Sequence, residues 1–551
     1  MNSFIYELLH FETLKHNLMK PLSFVFGLLF LNSLNAQTLK SDSSFAELGK
    51  YITSNEEELS GIFDIEFDGD GNIYMLGSGE RLTADSLFIY LALGKLKSDG
   101  NFDSQFGNNG IVHTEHYSSQ LYMDGSYTQS DGKILLAGHT FDMYTGELLT
   151  VAQRYGIDGK QDLTFGNLGT FTLSSEEPYL STNVFELPSG KIIISATKWL
   201  ENGRDAFSLI RLNNDGTIDE DFGDDGVKVF EYPDINYSIK NYYAIPQPDG
   251  KIIIAGHIEG FNGQDMLMMR FMEDGSLDSS FGQNGYFIFD GGGYDAIDNL
   301  SLQSDGKILF TGGSIDDSSG EFKNNLIAGR LNSNGSADES FGENGFANFD
   351  SFQSLNPNGF QIIEAPDGNI MLAGSVYDLE DSDELEADIF FIRMNKNGKV
   401  DNSLGNDGIY IEDFGGLFDN LYRMKFDAQG RIIVCGESIN FVGPSKGFVA
   451  IYIPDLSLGK FELNNINSSV LTYPHPFVNE CTIKYDLLKE TKVSIDLLNV
   501  NGNLIKTFVN QDVKSSGSNQ ESISMEGLTP GIYLIRIKTE LGSTTVKVIK
   551  Q

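Results

Sequence analysis

With 551 residues, a net charge of −40 and a pI of about 4.4, the chain is too long for one small core and too acidic to follow a phosphate backbone, which argues against nucleic-acid binding. Sixty glycines and forty phenylalanines against two cysteines describe short strands and turns held by apolar packing. Cys435 and Cys481 read as small core residues, with no disulfide framework to support. From Leu471 onward eight Lys and one Arg face eight Asp and Glu, so the negative charge lies in the middle of the chain.

The opening residues read as an export address. Lys15 and Lys20 precede the apolar run Leu22–Leu31, and Ala36-Gln37 offers a cleavage point, giving a signal peptide over residues 1–36. Met19 serves equally well as the start. The run is too short for a stop-transfer helix, and no later stretch reads as a transmembrane anchor.

A phrase then recurs about every sixty residues: DGKIIIAG from Asp249, with copies at Asp70, Asp131, Ser189, Asp305, Asp367 and Gln429. Asp-Gly supplies a tight hairpin turn, which we expect to be of the two-residue kind, and the β-branched run after it suits a buried strand. A second phrase follows the first six copies, centred on Phe106, Phe165, Phe222, Phe281, Phe341 and Leu404. A base stands eight residues before the Asp of this phrase throughout, from Lys95 and Asp103 to Arg393 and Asp401. The constant spacing predicts charge-assisted hydrogen bonds that stabilise a turn between two strands.

Each repeat parses as four strands, the pattern of a β-propeller blade. The last repeat lacks its fourth strand, and residues Asp42–Ile52 match Asp278–Ile288 position by position. The sequence therefore predicts an all-β fold: a seven-bladed β-propeller over 37–458, closed by an N-terminal strand. An open β-solenoid is the alternative, disfavoured by the split first and last repeats. A polar linker over 459–470 leads to a small antiparallel β-sandwich over 471–551.

These phrases resemble the delta-60 repeat family of secreted bacterial proteins, which implies a propeller-like scaffold and no particular activity. The tail resembles the type A C-terminal sorting domain of the type IX (Por) secretion system of Bacteroidetes, on Tyr473, Pro474, Pro476, Gly531, Tyr533 and Lys547 among others. That resemblance implies a translocon partner in the outer membrane and delivery to the surface or exterior of a Gram-negative cell.

The Asp-Gly turns are uniform, whereas the connections Lys198–Asp205, Asp234–Tyr243, His257–Asp265, Asp378–Asp388 and Glu437–Lys446 vary in length and chemistry. Irregular loops on a rigid scaffold carry recognition. Trp199, Arg204, Tyr237, Tyr242 and Tyr243 in two of these connections are candidates for contact with a glycan or protein, although aromatics also pin loops onto blades. Asp381 and Asp383 are weak Ca²⁺ candidates in a run without EF-hand spacing, and a solvated acidic loop is the plainer reading. His113 and His116 lack a third metal ligand, and His139 and His257 lack an identifiable acid–base partner. No cofactor and no catalytic set is expected. The favoured function is an exported binding protein, and the alternative is a propeller hydrolase or lyase acting on polysaccharide.

Overall fold

The strand that follows each Asp-Gly phrase is buried along most of its length: Ile252 to Ile258 and Ile192 to Thr197 are examples. A run this apolar must be covered on both faces, so each such strand is the second of a group packed between neighbours. The computed structural model describes residues 39–550 apart from 54–58, 83–86, 115–120, 142–146, 235, 261–262, 292, 317–322, 348, 350–354, 379–385, 403, 406–407, 441–444, 454–465, 474–476, 478, 488–489, 499–503, 530 and 540–541. Every regular element among them is a β-strand, and no helix of theirs is long and apolar enough to cross a membrane.

Tyr294–Leu302, Ile308–Asp316, Lys323–Leu331 and Phe346–Ala347 pair in that order, all antiparallel. The same order holds for every four-strand group from Gly61–Phe67 to Ile409–Glu412. The final group has three strands of its own, Phe418–Phe426, Ile432–Ile439 and Lys446–Ile453. Its outer edge is paired by the opening of the chain, with Lys40 opposite Ile453 and Tyr51 opposite Val449.

The Asp-Gly turn differs from the two-residue hairpin that the sequence suggests. Gln129 N–H donates to Lys133 O and Gly132 N–H to Gln129 O, and of Asp131-Gly132 only Gly132 is left-handed, with φ 86°. This is a three-residue loop with a glycine bulge; the Asp carboxylate accepts from Lys133 N at 3.1 Å instead of entering the left-handed region itself.

The recurring base and Asp are joined as their spacing predicts. Arg270 Nε donates to Asp278 Oδ2 at 2.8 Å, and Arg154, Arg211, Arg330 and Arg393 repeat the contact. The same guanidinium does two further things. It lies over the ring of its phrase, 4.7 Å from the Phe281 centroid, and it reaches the next repeat, as Arg211 does to Glu273 O at 2.8 Å. The next repeat's turn docks against that ring too: a Cβ on Gly335 would stand 2.7 Å from Phe281, so only glycine fits. One residue pair thus fixes a turn and staples adjacent repeats.

The fourth residue of the FG phrase is left-handed in every copy where it is described. Asn109, Asn284 and Asn344 tolerate this conformation, but Leu168 holds it with φ 52° and an exposed side chain. Leu168→Asn is expected to raise stability by about 0.5–1 kcal/mol in urea denaturation; an unchanged midpoint would show that the turn is unstrained.

The tail forms two antiparallel sheets. Ile466–Tyr473, Glu480–Leu487 and Gly517–Ser524 make one; Leu504–Lys514, Thr491–Leu498, Gly531–Thr539 and Gly542–Lys550 make the other. Ile483, Tyr485 and Ile523 from the first sheet share a core with Val493, Ile535 and Val548 from the second. The first strand starts at Ile466, inside the segment that the sequence assigns to a linker. Its Asn and Ser residues hide it, and its pairing is irregular between Asn467 and Leu471.

Candidate functional site

The first strand of every repeat shifts register once, at an equivalent point. The shifts fall at Ile62/Asp64, Met123/Gly125, Ser181/Asn183, Asn241/Tyr243, Ile297/Asn299, Asn358/Gln361 and Leu421/Arg423. A bulge leaves an unpaired residue and re-aims its neighbours. The first strands therefore carry polar groups that meet one another. Asp64 accepts from Ser126 N at 3.0 Å and Oγ at 2.8 Å, and Asn299 Oδ1 accepts from Ile362 N at 3.1 Å.

The charged centre of this set is Asp64, with Arg423 and Lys425 each 3.4 Å from Oδ1. Lys425 also donates to Glu66 at 2.9 Å and to Ile65 O at 2.6 Å. Burial pushes the Asp64 carboxyl up, but Lys425 and Arg423 outweigh it and hold it below its ordinary 3.8. The Arg423 guanidinium lies 5.6 Å from the ring centroid of Tyr243, which belongs to a repeat far away in sequence. First strands from non-adjacent repeats thus converge.

A second polar group forms around two bulged residues. Tyr242 is 42% exposed, and its ring stands edge-on to His257 with centroids 5.2 Å apart. His257 is buried, and neither ring nitrogen has a hydrogen-bond partner; Glu259 Oε2 lies 3.9 Å from Nε2. Burial, reinforced by Lys240, lowers His257 to about 4, so the imidazole is neutral. Burial pushes Asp298, the bulged residue of the next repeat, up to about 7. Burial and then the charge of Asp298 push the Tyr242 phenol up to about 12. The group offers a neutral imidazole, an aromatic face, a phenol and a carboxyl that exchanges its proton near neutrality.

The sequence candidates divide. Tyr242 and Tyr243 lie at the bulge, Tyr242 beside His257 and Tyr243 beneath Arg423. Trp199 is 47% exposed at the end of its strand, opposite Asp205. Arg204 is committed to the fold: it donates to Tyr237 O at 2.9 Å, Tyr232 O at 3.2 Å and Glu231 at 3.0 Å, fixing the following connection. Tyr237 packs on Tyr232, their centroids 5.7 Å apart, which is the loop-pinning role. Asp381, Asp383, His116, Ala36 and Gln37 lie outside the described residues. His257 and Asp298 carry no sequence motif; the signal available was the equivalence of His139 and His257, one past the buried phrase.

In the tail, Tyr533 is buried and donates from its hydroxyl to Thr529 O at 2.8 Å. Gly531 opens its strand, and Lys547 pairs with Leu534 in the last ladder. Tyr473 ends the strand Ile466–Tyr473, while Pro474 and Pro476 lie outside the described residues.

Two families match the chain. "Secretion system C-terminal sorting domain" matches residues 471–551, and "Domain of unknown function (DUF5122) beta-propeller" matches 187–222, 247–281 and 303–341. The chain is a propeller-type protein with a type IX sorting tail. The tail marks it for export through type IX secretion to the cell surface or extracellular space. A comparison with curated proteins finds no match.

Several solved structures are similar to the propeller-type chain at low identity. A protein of unknown function from Dyadobacter fermentans is 12% identical with a TM-score of 0.39, over 74% of this chain and 99% of that one. The Penicillium chrysogenum alpha-L-arabinanase complexed with arabinobiose is 10% identical with a TM-score of 0.36, over 73% and 96%. Drosophila Semaphorin 2a is 8% identical with a TM-score of 0.43, over 93% and 98%. At these scores none carries an argument about function.

Proposed function

We propose that this exported chain is a binding protein whose repeats close a seven-bladed ring, with recognition on the irregular-loop face around Tyr242, His257 and Asp298. Closure is supported by the pairing of the opening strands with Lys446–Ile453 and by a core in which Phe45, Ile62 and Met75 pack with Cys435, Val449 and Ile451. The observation that carries the recognition site is the buried His257, both of whose nitrogens lack a partner beside a half-exposed tyrosine. An unpaired buried polar group costs about 1–3 kcal/mol, and a bound hydroxyl or amide would recover that energy. An aromatic face next to such groups suits a sugar or a peptide.

The full mature chain is to be screened on a glycan array and a peptide array. His257→Ala and Tyr242→Ala are each expected to weaken capture tenfold or more, about 1.4 kcal/mol, while the chain keeps a cooperative thermal transition. Capture that both variants leave untouched would overturn the site.

A polysaccharide hydrolase or lyase is the second reading, favoured by Asp298, since an acid catalyst works best with a value near the operating pH. It requires release of reducing ends that fades as pH rises through about 7 and vanishes in Asp298→Asn. Capture without release supports the binding protein.

A further inference from the structure

We propose that two carboxylate triads, Asp265–Asp290–Asp295 and Asp388–Asp413–Asp419, each bind one Ca²⁺ and lock the passage of the chain from one repeat to the next. Within each triad one carboxylate oxygen per residue lies within 4.8 Å of the others. Oxygens sharing a Ca²⁺ at about 2.4 Å can be no further apart than about 4.8 Å. The ligands are all hard oxygens, which suits Ca²⁺ and not a thiophilic or imidazole-seeking metal.

The two triads are built alike from distant parts of the sequence. Asp265 and Asp388 lie near the start of third strands, Asp290 and Asp413 follow fourth strands, and Asp295 and Asp419 lie in the next repeat's first strand. At these two junctions a third strand pairs in parallel with the following first strand, through Gln264 and Tyr294 and through Ala387 and Phe418. In both triads one carboxylate is exposed, one half-buried and one buried, which grades each site from solvent inward.

The buried member points to a ligand independently of the clustering. Asp295 is fully buried; Oδ2 accepts from Gly291 N–H, and Oδ1 has no hydrogen-bond partner. Asp419 has the same arrangement, with Oδ2 accepting from Phe414 N at 2.6 Å and Oδ1 outside hydrogen-bond geometry, although the Ser438 hydroxyl and Gly416 N–H lie against the carboxylate and favour its charged form. A buried carboxylate oxygen without a donor is costly unless a cation takes the donor's place. Among the described residues the buried members Asp295 and Asp419 form no ion pair, although most buried acids of the repeats have one. A Cβ on Gly291 would stand 2.8 Å from Asp295 Oδ1 and 3.0 Å from Ser314 Oγ; one on Gly416 would stand 2.7 Å from Asp419 Oδ1 and 2.3 Å from Ser438 Oγ. Each triad thus has a serine hydroxyl at hand and a glycine leaving room beside the open oxygen.

Extracellular Ca²⁺ modules bind on the order of 10⁻⁴–10⁻³ M, the range expected for three carboxylates with partial exposure. The test is calorimetric titration of CaCl₂ into the chelator-treated full mature chain, with MgCl₂ as the comparison ion. Two Ca²⁺ per chain are expected, one after Asp295→Asn, one after Asp419→Asn and none at these positions after both. A structural role alone predicts that these variants lower the thermal midpoint in chelator. The Ca²⁺ role predicts that it holds or rises, since a repelling charge is removed, and that the Ca²⁺-dependent rise disappears. Absence of heat and of a midpoint shift in the wild type, or two ions still bound by the double variant, would overturn the proposal.

Discussion

Deletion of residues 38–53 is expected to abolish the cooperative thermal transition of the repeat region and drive the chain into aggregates. The segment contributes few contacts by length but occupies a buried seam. Phe45 is fully buried, and Ala46 N–H donates to Asp99 O of the first repeat at 2.9 Å, while Asp42 N–H donates to Ile451 O of the last at 2.8 Å. Arg431 Nη1 adds a 2.9 Å contact to Asp42. Truncating a buried Phe alone costs about 3–5 kcal/mol, against a whole-domain stability of about 5–15. Without the segment, Lys446–Ile453 also becomes an apolar edge with Val449 and Ile451 uncovered, a template for pairing between chains. A synthetic peptide of residues 38–53 should restore the transition. A truncated chain that melts as sharply, at the same temperature, would show that the segment is an ornament.

Asp64→Ala is expected to cost about 3 kcal/mol, near the low end for breaking a buried ion pair because Arg423 and Lys425 keep some solvent. The loss comes from the partners: two cations keep their desolvation without their counter-charge, and Ser126 loses its acceptor. Replacing Asp64, Arg423 and Lys425 together by apolar residues should cost far less than Asp64→Ala alone, since no orphan charge remains. The pH dependence has a definite sign. The folded-state value of Asp64 is depressed, so its stabilisation is fully present above about 3.8 and is lost as pH falls through the lower folded value. Urea denaturation from pH 7 to pH 2 reads this as a steeper acid loss in wild type than in Asp64→Ala. Parallel curves would place the stabilising charge elsewhere.

How far the sequence reveals these features depends on whether they are local. The Asp-Gly phrase and the Arg270–Asp278 spacing repeat within a short window, so periodicity alone exposes them, down to the hydrogen bond. The match of Asp42–Ile52 to a fourth strand also needs only one chain compared with itself, and Tyr51 does pair with Val449. The bulges are different. They arise from pairing register, and the residues there (Phe63, Asp124, Thr182, Tyr242, Asp298 and Tyr422 among them) are too mixed for a pattern search to detect. His257 and Asp298 become notable only through burial. The two acid triads fall between these cases. Asp290-Gly-Gly-Gly-Tyr-Asp295 and Asp413-Phe-Gly-Gly-Leu-Phe-Asp419 are visibly alike, but Asp265 and Asp388 join them only through the fold. Arg204 shows the converse: a loop arginine beside aromatics reads as a ligand contact, and in the fold it donates to Tyr237 O and Tyr232 O of the following connection.

The central claim is that the chain's opening strands complete its last sheet. Lys40 and Ile453 are direct antiparallel partners and both exposed. Their Cα separation in such a ladder, about 4.5–5.5 Å, falls within disulfide range. The native Cys435 and Cys481 are buried and will not compete. Lys40→Cys with Ile453→Cys is expected to oxidise to a near-complete intramolecular disulfide, seen by intact mass and by a mobility shift, with the thermal midpoint held or raised. Two thiols that stay free and fully alkylated in the folded protein would contradict it.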